Sequence, residues 1–198
     1  MIKDETIQEA RKLLIKLLSN YYFGFTLHHT FNMLELFEKA IGKFDEEEHS
    51  KLRRDIIVFS IILHDVGRIV SEKNHSQISF DIVYKNFFGK ISEDDMALVK
   101  DCIVNHSSGM NPYSSEAKLV QDIDKLSMLH PLIIKEYMHH LSQEMSLDNF
   151  TEAIKKMIEK NSKHFNSLTI SLMYQKEYSK SIEQIIESLS TIYKENKK

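Results

Sequence analysis

The sequence has little of what loop-rich folds, disulfide scaffolds and membrane proteins require. Five glycines and two prolines in 198 residues are too few for an all-β or loop-rich chain, and the single cysteine, Cys102, excludes an internal disulfide. No apolar segment at the N-terminus resembles a signal peptide, and the longest apolar run is far too short to span a membrane. We therefore expect a cytoplasmic protein with no membrane partner.

An excess of charge of one sign is lacking too. The sequence has 26 basic and 29 acidic residues, a net charge of −3 at pH 7, so it offers no general attraction to nucleic acid. We expect no nucleic-acid partner. A chain of this length can bury a substantial core, and we expect one domain over residues 1–198.

Strand-like alternation of useful length is also missing, whereas apolar residues recur at helical spacing along the chain. This pattern predicts an all-α fold, with a loop at 107–115 and one helix between that loop and Pro131. The other predicted helices span about 4–19, 25–41, 47–65, 74–88, 92–106, 132–142, 148–160 and 163–193.

What the sequence does have is an almost entirely apolar run, residues 56–63, that ends on two side chains able to bind metal, His64 and Asp65. A helix that is apolar all round is normally buried. Because an unpaired carboxylate is costly in a core, Asp65 should meet a cation or several hydrogen-bond donors. We expect Gly67 to stop this helix.

Four more residues of ligand type fall on the inward faces of the predicted helices. They are His29, His75, His106 and Asp124. Asp122 instead shares a side of its helix with two lysines, so we interpret it as a solvated ion-pair partner. With His64 and Asp65, six such side chains on five successive helices are hard to attribute to chance.

The order of these residues resembles the HD superfamily of metal-dependent phosphohydrolases. That family is defined by a His, a His-Asp pair at the end of a helix, and a distal Asp. Here His29 looks like the first His, His64-Asp65 like the pair, and Asp124-Lys-Leu like the closing signature. The resemblance covers about residues 20–130 and implies a single HD-type helical domain, to which about 131–198 add C-terminal helices.

The sequence differs from two branches of the family, and these differences narrow the choice of subfamily. The guanosine-tetraphosphate hydrolases carry Glu-Asp where this chain has Arg68-Ile69, and the cyclic-dinucleotide phosphodiesterases carry a Gly-Tyr-Pro motif that Gly109-Met-Asn-Pro does not match. The chain looks most like the small stand-alone HD phosphohydrolases. Their substrates imply a small phosphorylated partner of the nucleotide class, and a homodimer is left open.

The resemblance implies a divalent metal ion, Mn²⁺, Fe²⁺, Zn²⁺ or Mg²⁺, on His29, His64, Asp65 and Asp124. Two imidazoles and two carboxylates leave positions open on a six-coordinate ion for water and a phosphate oxygen. The ion would activate that water, so no protein nucleophile is required.

Two interpretations of His75 and His106 remain open. They bind a second ion that Asp65 bridges, or they act as proton carriers beside a single ion. Because only eleven positions separate His64 from His75, we favour the single ion. Arg68, Lys73 and Lys125 are the cations best placed in the sequence to neutralise a phosphate.

Two other functions suit the same residues. Some HD relatives with a His, His-Asp, His, His, Asp set hold two irons and activate dioxygen, and this chain has that set in that order. Other relatives have lost catalysis and serve as regulatory or ligand-binding modules. Intact ligand positions argue against a regulatory module here.

Overall fold

The computed structural model describes residues 1–18, 24–107, 109–142 and 146–195. It confirms the all-α fold, since the described residues contain helices and no β-strand. The helices are α1 (Asp4–Leu18), α2 (Gly24–Ile41), α3 (Glu46–Ser50), α4 (Arg54–Leu63), a 3₁₀ helix (Val66–Ile69), α5 (His75–Phe87), α6 (Glu93–Val104), α7 (Ser115–Met128), α8 (Pro131–Ser142), α9 (Leu147–Asn161), α10 (Leu168–Met173), a π-helical turn (Tyr174–Tyr178) and α11 (Ser179–Glu195).

Helix α4 is the buried centre of the fold. Every residue from Ile56 to Leu63 is at most 9% exposed, and α4 packs against α1, α2, α6 and α7. Full burial of one large aliphatic side chain stabilises the fold by about 1.5–3 kcal/mol. A helix held on all sides presents its C-terminal end, where His64 and Asp65 follow, at a well-defined position.

The helix predicted over 47–65 is wrong as one element, because two helices occupy this stretch. The short α3 has no buried residue, and its N-cap Asp45 accepts a hydrogen bond from the backbone of Glu48. The chain then turns, and Arg53 pairs with Asp55 and Asp95 before α4 begins. Since residues 46–51 have no apolar face to bury, nothing holds them in line with α4.

Gly67 does not end α4, as the sequence suggested, because α4 ends four residues earlier and Gly67 lies inside the 3₁₀ helix. A Cβ atom on Gly67 would lie 2.2 Å from the carbonyl oxygen of His75 and 2.6 Å from the backbone nitrogen of Ser79. The Gly67 N–H donates to Ser79 Oγ at 2.8 Å. Glycine is therefore needed here for the close approach of α5, whose first residue is His75.

The C-terminal helices pack back onto this core. Helix α8 contacts α2, α7 and α9, and α10 contacts α2 and α7. None of the helices in the described ranges is long and apolar enough to cross a membrane.

Asp122 on α7 forms hydrogen bonds with the backbone of the segment that precedes α10. It is fully buried, and its carboxylate accepts hydrogen bonds from the backbone N–H groups of Asn166 and Ser167 at 2.9 and 2.7 Å. The interpretation of Asp122 as a solvated ion-pair partner is therefore wrong, although Lys125 does lie 3.9 Å away. Those backbone contacts come from residues more than 40 positions along the chain, which a helical wheel does not show.

Candidate metal centre

Five helices bring the six candidate ligands together. His29 lies in the second turn of α2, His64 and Asp65 directly follow α4, His75 begins α5, His106 follows α6 by two residues, and Asp124 lies within α7. Five of the six residues are at most 9% exposed, whereas the His75 side chain is 12% exposed. The cluster is therefore buried, with His75 at its rim.

One half of the cluster joins α2, α4 and α7. His29 Nε2 lies 2.9 Å from Asp124 Oδ1, and the His29 and His64 rings are 5.4 Å apart between centroids. The ligand atoms of His29, His64 and Asp124 lie within 4.8 Å of one another. One ion could therefore contact all three.

The other half gathers around the two oxygens of Asp65. The Nε2 atoms of His75 and His106 lie 3.3 and 3.5 Å from Asp65 Oδ1, and His64 Nε2 lies 3.5 Å from Oδ2. Two ligand atoms that share one metal ion are roughly 3.0–3.4 Å apart, given metal–ligand bonds of about 2.1 Å. The observed separations are close to that range.

Each imidazole is oriented through its Nδ1 atom. His64, His75 and His106 contact the backbone carbonyl oxygens of the residues three positions earlier, at 2.8, 2.8 and 2.6 Å. A carbonyl oxygen can only accept, so these three Nδ1 atoms carry the proton. In the neutral ring the Nε2 lone pair then faces the centre, which is the form that binds a metal.

The contacts around these lone pairs are incomplete without a cation. His64 Nε2 and Asp65 Oδ1 are buried and have no hydrogen-bond partner. His75 Nε2 and His106 Nε2 face each other at 3.3 Å, although both are acceptors when the rings are neutral. Since lone pairs and a carboxylate oxygen converge on the same space, the residues present fit a divalent metal ion.

The electrostatics favour metal-binding protonation states at His64 and Asp65. Burial lowers the pKa of His64 to about 4, against the opposing charge of Asp65. Burial alone would raise the pKa of Asp65, but the neighbouring His64 and Arg68 outweigh it and hold this pKa well below its usual range. His106 differs, because burial alone would lower its pKa but the nearby carboxylates of Asp65 and Asp124 outweigh burial and raise it.

The three cations predicted to bind phosphate lie in different surroundings. Arg68 is next to the centre, where its Nε donates to Asp65 Oδ2 at 2.6 Å and its Nη1 pairs with Glu72. Lys73 is exposed. The Lys125 ammonium group is buried and donates to the His164 carbonyl oxygen at 2.9 Å, so its hydrogen bonds lead towards the C-terminal segment.

Sequence reasoning did not identify the groups that support His29. Ser127 Oγ lies 2.9 Å from His29 Nδ1 and accepts a hydrogen bond from Asn32 Nδ2 at 2.8 Å. Ser127 is three positions after Asp124 on α7, so the two side chains share one helix face. The three-residue spacing from Asp124 is the sequence feature that could have identified Ser127.

Helix α8 also reaches this region, again unforeseen. Glu136 Oε1 lies 2.5 Å from His28 Nδ1, beside the His29 ligand position. Its neighbour Tyr137 is half-buried, and burial raises the pKa of its hydroxyl group. Helix α8 therefore meets α2 at the residue before His29.

The family model of the HD domain matches residues 26–129, which are more than half of the chain. No curated protein and no solved structure matches the chain. The matched region contains all six clustered residues, and the HD family consists mostly of metal-dependent hydrolases. This match confirms the resemblance drawn from the His, His-Asp and Asp pattern, and the chain belongs to the HD domain family.

Proposed function

We propose that this chain is a metal-dependent phosphohydrolase that cleaves a phosphoester or phosphoanhydride of a nucleotide or another small phosphorylated metabolite. The observation that carries the proposal is the convergence of four imidazole Nε2 atoms and two carboxylates, among which His64 Nε2 and Asp65 Oδ1 have no other partner. A bound divalent ion there would lower the pKa of a water molecule and polarise a phosphoryl oxygen.

We assign the residues to two positions that share Asp65. His29, His64 and Asp124, with Asp65, would hold the first ion, and His75 and His106, with Asp65, would hold a second. The short interval between His64 and His75 does not keep His75 away, because the 3₁₀ helix and the turn after it return the chain to Asp65. The distances of 3.3 and 3.5 Å to Asp65 Oδ1 support this assignment over the single ion that the spacing favoured.

The donor set also narrows the choice of metal. Four imidazole nitrogens against two carboxylates suit Fe²⁺, Zn²⁺ or Mn²⁺ better than Mg²⁺, which prefers oxygen ligands. We therefore propose one of these three transition metals as the resident ion.

Near the reacting phosphate, side chains of the protein would position the substrate and neutralise its negative charge. In hydrolysis the oxygen of water bonds to phosphorus, the bond to the leaving oxygen breaks, and that oxygen takes up a proton. Arg68 is the cation nearest to Asp65, so we assign it to the negative charge of the phosphoryl group. His75, at the exposed rim, is the imidazole best placed to meet incoming substrate.

Elemental analysis together with a phosphoester panel tests the proposal. Wild type, reconstituted with Mn²⁺, Fe²⁺ or Zn²⁺, should retain metal and hydrolyse at least one nucleotide or sugar phosphate. Asp65→Asn should lose both properties, whereas the matched control Asp81→Asn, at an exposed position on α5, should keep both. Full metal content and activity in Asp65→Asn would refute the assignment.

The same six residues suit a di-iron oxygenase, because His75 and His106 make the second position rich in nitrogen ligands. Iron-loaded protein should then consume dioxygen with an organic substrate, and should hydrolyse no phosphoester with any metal. Hydrolysis at full rate without oxygen, with Zn²⁺ or Mn²⁺ bound, would exclude this alternative. Such a reaction needs neither dioxygen nor a metal ion that changes its oxidation state.

A further inference from the structure

One buried side chain of α7 holds the backbone around His106. Gln121 Nε2 lies 3.1, 3.1 and 3.2 Å from the carbonyl oxygens of Asn105, Ser107 and Met110. Asn105 and Ser107 are the residues directly before and after His106. A single amide group therefore contacts the chain on both sides of this candidate ligand.

The orientation of the Gln121 amide is fixed from its other end. Its Oε1 accepts hydrogen bonds from Lys125 Nζ at 3.3 Å and from Asn166 Nδ2 at 3.2 Å. The opposite orientation would place an oxygen against three carbonyl oxygens, none of which can donate. Because Gln121 and Lys125 are each only 4% exposed, water hardly competes for these hydrogen bonds.

His106 depends on such support because it lies two residues beyond the end of α6. Its Nδ1 contacts the Ile103 carbonyl oxygen at 2.6 Å, and its Nε2 lies 3.5 Å from Asp65 Oδ1. Metal–ligand distances in real sites stay within about 0.2 Å of their preferred values. A small shift of the loop would therefore move the His106 imidazole out of reach of an ion beside Asp65.

Helix α7 connects the two halves of the candidate centre through Gln121. Asp124 lies three positions after Gln121, so the two side chains share one helix face. Asp124 contacts His29 in one half, whereas Gln121 contacts the loop that carries His106 in the other. The rigid helix thus relates the position of His106 to that of Asp124.

We propose that Gln121 is a positioning residue of the metal centre, which acts on His106 through the carbonyl groups of Asn105 and Ser107. The inference rests on the proposed function, because it takes His106 as a metal ligand. It also makes the C-terminal segment part of the support of the centre, since Asn166, which lies outside the family match, helps to orient the amide.

Two measurements on the full chain test the inference. Isothermal titration calorimetry follows Zn²⁺ binding to metal-free protein, and nuclear magnetic resonance follows the ring nitrogens of His106 before and after Zn²⁺ is added. Gln121→Met removes the donors at similar length, whereas Gln121→Glu keeps an acceptor for Lys125 and loses only the donors.

Two control variants separate positioning from general stability. Gln175→Met alters an exposed glutamine of the π-helical turn. Ile182→Ala opens a cavity in the core at α11, which packs against α9 and the π-helical turn, and it should lower the urea concentration needed for unfolding. Both controls should bind Zn²⁺ like wild type.

We expect Gln121→Met to weaken Zn²⁺ binding at the position of His75 and His106 about 10- to 100-fold, the usual scale for losing a group that orients a metal ligand. Its other Zn²⁺ should bind as in wild type. The ring-nitrogen resonances of His106 should also move in the metal-free variant. Gln121→Glu should weaken binding too, although its added negative charge by itself attracts a cation.

Wild-type Zn²⁺ affinity together with unmoved His106 resonances in Gln121→Met would overturn the inference, as would an equal loss of affinity in Ile182→Ala. If Gln121→Met does not fold, Gln121→Glu replaces it, and wild-type affinity in Gln121→Glu contradicts the role of the donors. Moved His106 resonances in metal-free Gln121→Met, with a wild type in which Zn²⁺ leaves His106 unaffected, would uphold the positioning and refute the proposed metal assignment.

Discussion

Replacing Gly67 with alanine should damage the metal centre although Gly67 is not a ligand. The added Cβ would lie 2.2 Å from the His75 carbonyl oxygen, whereas ordinary van der Waals contact begins near 3.4 Å. The N-terminus of α5 must therefore retreat by about 1.2 Å, because its backbone cannot yield as a flexible side chain would. That shift would stretch the Gly67–Ser79 hydrogen bond and move His75 away from Asp65.

Two magnitudes follow for Gly67→Ala. Overpacking of a tight contact costs typically about 1–3 kcal/mol of unfolding free energy, and a displacement near 1 Å at a catalytic group can lower turnover about 10²-fold. Urea unfolding, metal analysis and hydrolysis assays measure the three effects. We expect lower stability, partial loss of the ion on His75 and His106, and low turnover.

Gly42→Ala is the matched control, because a Cβ on Gly42 would approach nothing closer than 3.8 Å. It should leave stability, metal content and turnover close to wild type. If Gly67→Ala instead unfolds at the wild-type urea concentration and keeps its metal and turnover, the close approach of α5 does not control the position of His75, and the reasoning fails.

Three further predictions concern the ligands and their neighbours. His64→Ala should abolish hydrolysis and lose most bound metal by elemental analysis, and full occupancy would exclude His64 as a ligand. Asp124→Asn should lose activity and metal. Asp122→Asn should keep metal but lose about 1–3 kcal/mol of stability in urea unfolding, because buried N–H groups lose a charged acceptor. The reverse ranking of the two variants would contradict both roles. Replacing His75 or His106 with alanine should lower metal content from about two ions per chain towards one, and a single ion in wild type would contradict the second position.

The sequence predicted best what depends on local periodicity. The apolar run 56–63 predicted a buried helix leading to His64 and Asp65, and α4 is buried and ends at Leu63 with His64 as its C-cap, two residues before the predicted end. Similarly, the predicted inward faces of α2 and α7 indicated His29 and Asp124, which lie 2.9 Å apart in the cluster. A helix face is determined by residues three and four positions apart, so short stretches of sequence contain this information.

What the sequence could not predict depends on distant segments. Asp122 appeared solvated because its partners, the N–H groups of Asn166 and Ser167, come from a segment that folds back onto α7. The role of Gly67 likewise depends on how closely α5 approaches.

The charges in the candidate centre relate the proposed metal ions to the proposed anionic substrate. Asp65, Asp124 and Arg68 leave a formal charge of −1 when the imidazoles are neutral. One divalent ion would reverse that charge to +1, and two ions would raise it to +3. Because uncompensated charge is costly away from water, a site holding two ions should bind a phosphate dianion more readily than a neutral molecule such as dioxygen.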